Sequence, residues 1–297
     1  MKELRFIEEN TKDKIENILN KIANREFLVD QSIPLINLHK LDKEDFIKNE
    51  TATEEMLDFI NLLLTYNTSM CIAGNCGSGK TVLLNEILEE LINKTIFIIE
   101  SGSREIELKD KNTKNTVIHS TTVYNKDENL SIKVEDLLAV AVSIKPDIIC
   151  LGEMRSKEVF YLQEIARAGY TVIGTVHSND SIHTYKRLVN LCKEGTNIDD
   201  DILMKFVTEA FPIIVYVKQL ADKSRKITEI MECVVDEDGN IFYSTLFRYK
   251  ITENIIRDDY FTVNGCFEKV NNISNNMKKR LLKNGMPYSE LEKFLNT

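Results

Sequence analysis

The chain is 297 residues long, with 43% hydrophobic and 29% charged residues, the balance of a globular protein long enough for a substantial core. Its 47 acidic residues outnumber 38 basic ones, for a net charge of −9. That surplus argues against nucleic acid as the main partner, because a phosphate backbone is bound by excess Lys and Arg.

The opening stretch, MKELRFIEENTKDK, alternates charge without an apolar centre, so no secretory signal is expected there. Residues 11–24 carry Ile15, Ile18, Leu19 and Ile22 at helical spacing, and Phe27–Leu38 reads as extended, interrupted by Pro34. Thr51 and Glu54 form a capping-box pattern that opens a helix burying Met56, Leu57, Ile60 and Leu64. Residues 1–66 are therefore expected to form a small N-terminal α+β element with its linker.

From about residue 68 short apolar runs alternate with amphipathic helices. Strands are expected at Met70–Ala73, Thr95–Glu100, Val117–His119, Asp147–Gly152 and Thr171–Val176, and helices at Thr81–Asn93, Val134–Ile144, Lys157–Ala168 and Ile182–Cys192. This rhythm predicts an α/β fold with a mainly parallel sheet flanked by helices. Asp201–Phe211 reads as a helix and Ile213–Lys218 as a strand. Lys226–Val235 and Ile241–Tyr249 flank the turn at 236–240 as a hairpin. Helices near Ser274–Asn284 and Tyr288–Leu295 complete the pattern. The expected division is 1–66, a central α/β unit over 67–253, and a helical tail over 254–297.

No apolar run approaches the ~20 residues of a membrane-spanning helix. Six cysteines are scattered with no CxxC pair, so reduced thiols, no zinc site and a cytoplasmic location are expected. Membrane contact would be peripheral, through partners.

The strongest local signal is Gly74-Asn75-Cys76-Gly77-Ser78-Gly79-Lys80-Thr81, a full match to G-x4-G-K-[ST], with a strand before it and a helix from Val82 after it. Glycines let successive backbone N–H groups curl around a phosphate, and the helix N-terminus adds its positive end. Lys80 would reach the β- and γ-phosphates of a bound nucleotide, and the Thr81 hydroxyl would ligate Mg²⁺. Residues Gly74 to Val82 are thus the candidate cofactor-binding set.

An apolar strand ending in Glu153 has the Walker B layout, suited to the Mg²⁺ shell or to polarising water. Glu100, closing the strand Ile96–Ile99, and Glu105 after it are candidate bases. His177 ends a strand, where it could touch a terminal phosphate, and Arg155 could neutralise phosphate charge. A solvated carboxylate, a structural histidine and a surface ion pair are the bland readings of these residues.

The segments Asn75–Leu84, SIKPDIICLGEMRSKE (Ser143–Glu158), ARAGYTVIGTVHSND (Ala166–Asp180) and Phe211–Tyr249 resemble the bacterial type II/type IV secretion-system ATPases. Within that family they are most similar to motors of tight-adherence pili and to VirB-type conjugation ATPases. The resemblance implies a RecA-like P-loop domain, Mg-ATP hydrolysis, a homohexameric ring and docking on an inner-membrane platform protein. It makes Gly74–Thr81 the Walker A loop and Asp147–Glu153 Walker B, with Arg155 beside it. It puts Glu100–Glu105 at the acidic box and His177 in the His box. Three departures stand out: Ser101 where the family has Asp, Gly169-Tyr170 where it has Gly-His, and only about 66 residues before the motor unit, with Arg5 and Arg25 as the arginines there. Two other classes stay open: a nucleic-acid translocase on the same core, and a regulator that binds ATP without turning it over.

Overall fold

The computed structural model describes residues 41–102, 104–108, 114–125, 131–236, 238–257 and 260–295. The helix expected over 11–24, the extended run Phe27–Leu38, and Arg5 and Arg25 lie outside them.

Two helices lead into the sheet. α1 (Lys43–Lys48) starts at a capping box, with Asp42 accepting from Asp45 N–H and the Asp45 carboxylate accepting from Asp42 N–H. α2 (Glu54–Thr65) begins at Thr53, whose hydroxyl accepts from Met56 N–H. The expected cap was Thr51. That residue instead gives its carbonyl to Ile227 N–H at 2.7 Å, which ties the linker to the sheet and takes it out of helical position.

The sheet has nine strands: β1 (Met70–Gly74), β2 (Thr95–Glu100), β3 (Thr116–Thr121), β4 (Ile148–Met154), β5 (Thr171–His177), β6 (Ile213–Gln219), β7 (Arg225–Val235), β8 (Ile241–Arg257) and β9 (Tyr260–Lys269). Their spatial order is β3-β2-β4-β5-β1-β6-β7-β8-β9. The first six in that order are parallel, and β6 to β9 pair antiparallel. β1 lies between β5 and β6, with Met70 level with both Ile173 and Ile213.

Strands buried on both faces are apolar at every position, and alternate residues feed two cores. Met70, Ile72, Ile96, Ile98, Ile148, Ile173 and Ile213 face one core. There they meet α2, α3 (Lys80–Glu89), α8 (Asn275–Lys283) and α9 (Tyr288–Leu295), and the Phe59 ring packs tilted at 5.5 Å from Phe247 and 6.1 Å from Phe294. Cys71, Ala73, Phe97, Ile149, Leu151, Val172 and Ile214 face the other core. It is covered by α4 (Val134–Ile144), α5 (Glu158–Arg167), α6 (Ser181–Lys193) and α7 (Asp200–Ala210).

Three further differences from expectation have local causes. α3 stops at Glu89 rather than Asn93, because Asn93 turns left-handed (φ 54°) and the Leu91 carbonyl is taken by Asn115 Nδ2 at 2.7 Å. The tail expected to be helical over 254–297 holds the end of β8 and the whole of β9, and helix begins only at Asn275. β8 runs past Tyr249 to Arg257, and β9 pairs antiparallel with it from Phe247↔Lys269 to Arg257↔Tyr260. An added hairpin satisfies the backbone groups of an otherwise exposed edge. Among the described residues no helix is long and apolar enough to cross a membrane.

Candidate functional site

The loop between β1 and α3 sits at the C-terminal edge of the parallel strands, where open α/β sheets leave a crevice. Gly74 is forced by packing: a Cβ there would lie 2.1 Å from the Val217 carbonyl oxygen of β6. Gly79, the N-cap of α3, has φ 95°, and a Cβ would press on the Arg225 side chain at 3.1 Å. Gly74 therefore has no room for a side chain and Gly79 adopts a backbone conformation that side chains strain, so the loop stays close to its neighbours.

Lys80 opens α3 and is only 7% exposed. Its ammonium donates to the carbonyls of Gly74 (3.1 Å) and Asn75 (3.0 Å), two acceptors that the loop itself supplies. It also reaches His177 Nδ1 at 3.3 Å, the end of neighbouring β5. An ammonium can only donate, so Nδ1 accepts and the ring proton belongs on Nε2. Nε2 lies 3.1 Å from a Glu153 carboxylate oxygen, and the other oxygen pairs with Arg155. Lys80, His177, Glu153 and Arg155 thus form one line of contacts across three elements. Burial pulls Lys80 below its ordinary value, and the Glu153 charge opposes that shift. Arg155 is raised by its hydrogen bond with Glu153.

Glu153 reaches this position through an irregularity. The β4–β5 register shifts between Leu151 and Met154, so Glu153 falls in a bulge that turns its side chain toward the crevice mouth. The Thr175 hydroxyl fixes the bulge by donating to the Gly152 carbonyl at 2.6 Å. Glu158 closes the next turn, accepting from Arg155 N–H (2.6 Å) and Ser156 N–H (2.8 Å).

Glu100 lies one strand away and is engaged differently. It is 5% exposed, and its carboxylate accepts from Glu105 N–H (3.0 Å) and Ile106 N–H (3.1 Å) and meets His119 Nε2 at 2.5 Å. Glu105 itself is exposed, and its charge acts on Arg155. Asn75, Cys76 and Gly77 are exposed at the loop tip, and Thr81 and Val82 are half-buried. Ser78 is buried, its hydroxyl without a hydrogen-bond partner among the described residues.

Two neighbours of the site carried no linear signal. Arg225, at the start of β7, donates from Nε to the Gly77 carbonyl at 2.9 Å. His119, on β3, completes the Glu100 cluster. Both meet the site through strand order.

The residues present fit a nucleoside triphosphate with its magnesium ion. The loop is glycine-shaped, Lys80 is held on weak neutral acceptors that a phosphate would replace, and a buried hydroxyl at Ser78 is left over. Thr81 and Glu153 supply the hard oxygen donors that magnesium takes alongside phosphate and water.

A family model described as type II/IV secretion system protein matches residues 31–243. An uncharacterized protein of Methanocaldococcus jannaschii is 26% identical over 222 residues, covering 74% of this chain and 78% of its own length. The type IV secretion system protein VirB11 of Bartonella quintana is 26% identical over 185 residues, 60% of this chain and 50% of its own. The crystal structure of the VirB11 ATPase from the Brucella suis type IV secretion system superposes with a TM-score of 0.50 at 20% identity, covering 72% of this chain and 64% of that one. This last likeness concerns the fold.

Proposed function

The chain belongs to the type II/IV secretion system protein family, and we propose that it is a magnesium-dependent ATPase that turns over in the cytoplasm as a homohexameric ring. Docked on an inner-membrane platform protein, the ring powers secretion, pilus assembly or conjugative transfer. The observation that carries this reading is the continuous contact from Lys80 through His177 to Glu153 beside a glycine-shaped phosphate loop.

Bound ATP supplies the phosphoanhydride bond whose hydrolysis is the reaction. Gly74, Asn75, Cys76, Gly77, Ser78, Gly79, Lys80, Thr81 and Val82 would hold its phosphates, and Thr81 with Glu153 would hold the magnesium ion. Lys80 swings its ammonium from the Gly74 and Asn75 carbonyls to phosphate oxygens, and Arg155 adds positive charge from the exposed side. Glu153 aligns the attacking water, because its carboxylate faces the crevice. Glu100 is already committed to two backbone N–H groups and His119, so it positions the 104–106 segment. His177 touches both Lys80 and Glu153, so it couples the phosphate-holding side to the water-holding side.

Steady-state turnover by the purified full chain tests the proposal. Lys80→Ala is expected to lose binding and turnover together. Glu153→Gln is expected to keep binding and lose turnover by about 100-fold, the cost of one catalytic contact. Binding without turnover in the unaltered chain would overturn the enzymatic reading in favour of a regulator.

A further inference from the structure

A second concavity lies at the opposite edge of the sheet from the phosphate loop. It measures about 530 Å³ and is lined by Asn67, Asn276, Lys279, Arg280, Lys283 and Asn284, with the turn glycine Gly169 as its far wall. Asn67 precedes β1 and Gly169 precedes β5, so the cleft sits at the N-terminal strand edge. One five-residue strand, roughly 17 Å of chain, separates that edge from the loop at the other end.

α8 builds the cleft from one face. Asn276, Lys279, Arg280 and Lys283 follow i, i+3, i+4, i+7 spacing, while Met277 and Leu281 face the core and anchor the helix. Lys279 and Lys283 are a like-charge pair one turn apart, an arrangement that costs helix stability. Among the described residues no carboxylate oxygen comes within 4.0 Å of Lys279, Arg280 or Lys283. Glu209, whose charge reaches Arg280, is itself held by Arg167 at 2.9 Å. The Arg280 guanidinium donates to the neutral Asn67 carbonyl at 3.3 Å, and burial pulls it below its ordinary value. Asn284 Nδ2 donates to the Tyr66 carbonyl at 2.8 Å, which pins the end of α8 to the linker between α2 and β1.

Three cations thus converge on one hollow of a chain that is acidic overall, with neutral amides between them and, among the described residues, no carboxylate in ion-pair contact with them. A multiply charged oxyanion would remove the repulsion, occupy the spare guanidinium donors and accept from the amides. We propose that the cleft formed by Lys279, Arg280 and Lys283 is a second anion site, for a ligand presenting phosphoryl oxygens. Its volume admits more than a single phosphate, so the ligand is a polyphosphorylated small molecule or the headgroup of an anionic phospholipid.

Calorimetric titration of the full chain with inorganic pyrophosphate tests this. Two sites per chain are expected, because the phosphate loop also takes the probe. K279Q/K283Q changes side chains away from the core, so folding should be kept. It is expected to weaken one site at least about tenfold, the loss of two phosphate contacts, and to leave the other intact. Lys80→Ala is expected to remove only that other site. Flotation with phosphatidylcholine vesicles containing phosphatidylglycerol identifies the source: binding lost in K279Q/K283Q marks a lipid headgroup, and pyrophosphate binding without flotation marks a soluble ligand. A single pyrophosphate site abolished by Lys80→Ala, with no variant-sensitive flotation, would overturn the proposal. So would a second site indifferent to K279Q/K283Q.

Discussion

Glu100 and Glu153 each sit at or near the end of an apolar parallel strand, and β2 and β4 are neighbours in the sheet. Their partners separate their work. Glu100 is buried against two backbone N–H groups and His119, so deleting its carboxylate leaves three donors without their acceptor, the Ile106 N–H in a buried position. Glu153 is half-exposed, and its partners His177 and Arg155 reach water without it. Glu100→Ala is therefore expected to cost about 2–4 kcal/mol of stability, by the usual penalty for unpaired buried groups. Glu153→Gln should stay within about 0.5 kcal/mol of the parent, as a surface change does. Urea unfolding of the two variants side by side decides it. Equal destabilisation would mean that Glu153 is a structural carboxylate as well, and would remove it from the proposed water-aligning role.

The C-terminal helices depend on a strand residue. Glu232 of β7 is buried, and it accepts from Ser274 N–H (2.8 Å) and Ser274 Oγ–H (2.5 Å). Ser274 in turn caps α8 by accepting from Met277 N–H at 3.1 Å. Burial raises the Glu232 carboxyl above its ordinary 4.5, and the Ser274 bonds oppose that shift. A raised carboxyl favours the folded state most when protonated. Its contribution is complete below 4.5 and fades as pH climbs through the raised value. Glu232→Gln, which cannot ionise, is expected to flatten the stability profile in that window. Ser274→Ala removes the hydroxyl bond to Glu232 and the cap together while keeping the backbone N–H bond, and is expected to cost about 1–3 kcal/mol. Hydrogen exchange should locate the loosening in α8 and α9. The same region shows what the sequence hides. Met70–Ala73 and Ile96–Ile99 were legible because both faces are buried and every residue is apolar. β9 reads YFTVNGCFEK, polar and apolar mixed around Asn264-Gly265, because it lies at the rim of the sheet with one neighbour. No periodicity marks such a strand. The site divides in the same way. The phosphate loop is contiguous in the chain and was visible at once. Arg225 and His119 join it because β7 and β3 end up beside β6 and β2, an order that no local pattern encodes.

Across the whole molecule, the sheet holds the two proposed anion sites at opposite strand ends and its thiols at graded depth. Cys71, Cys150, Cys192 and Cys233 are buried, while Cys76 and Cys266 are exposed. Burial pushes Cys192 and Cys233 up to about 12, and it drives Cys71 and Cys150 upward as well. The thiolate is the reactive form, so these four are both shielded and protonated near neutral pH. Two of the six thiols are expected to react quickly with a disulfide reagent under native conditions, and the other four only on unfolding. The two reactive thiols then report on different places. Cys76 stands in the phosphate loop, and Cys266 lies on β9 at the far rim of the sheet. Magnesium ATP in the proposed site covers Cys76 and leaves Cys266 untouched, so labelling should slow at the first and continue at the second. A nucleotide bound elsewhere would slow neither, and a general tightening of the fold would slow both. Peptide mapping after timed labelling separates the three cases, and protection confined to Cys76 is the outcome that the loop geometry requires.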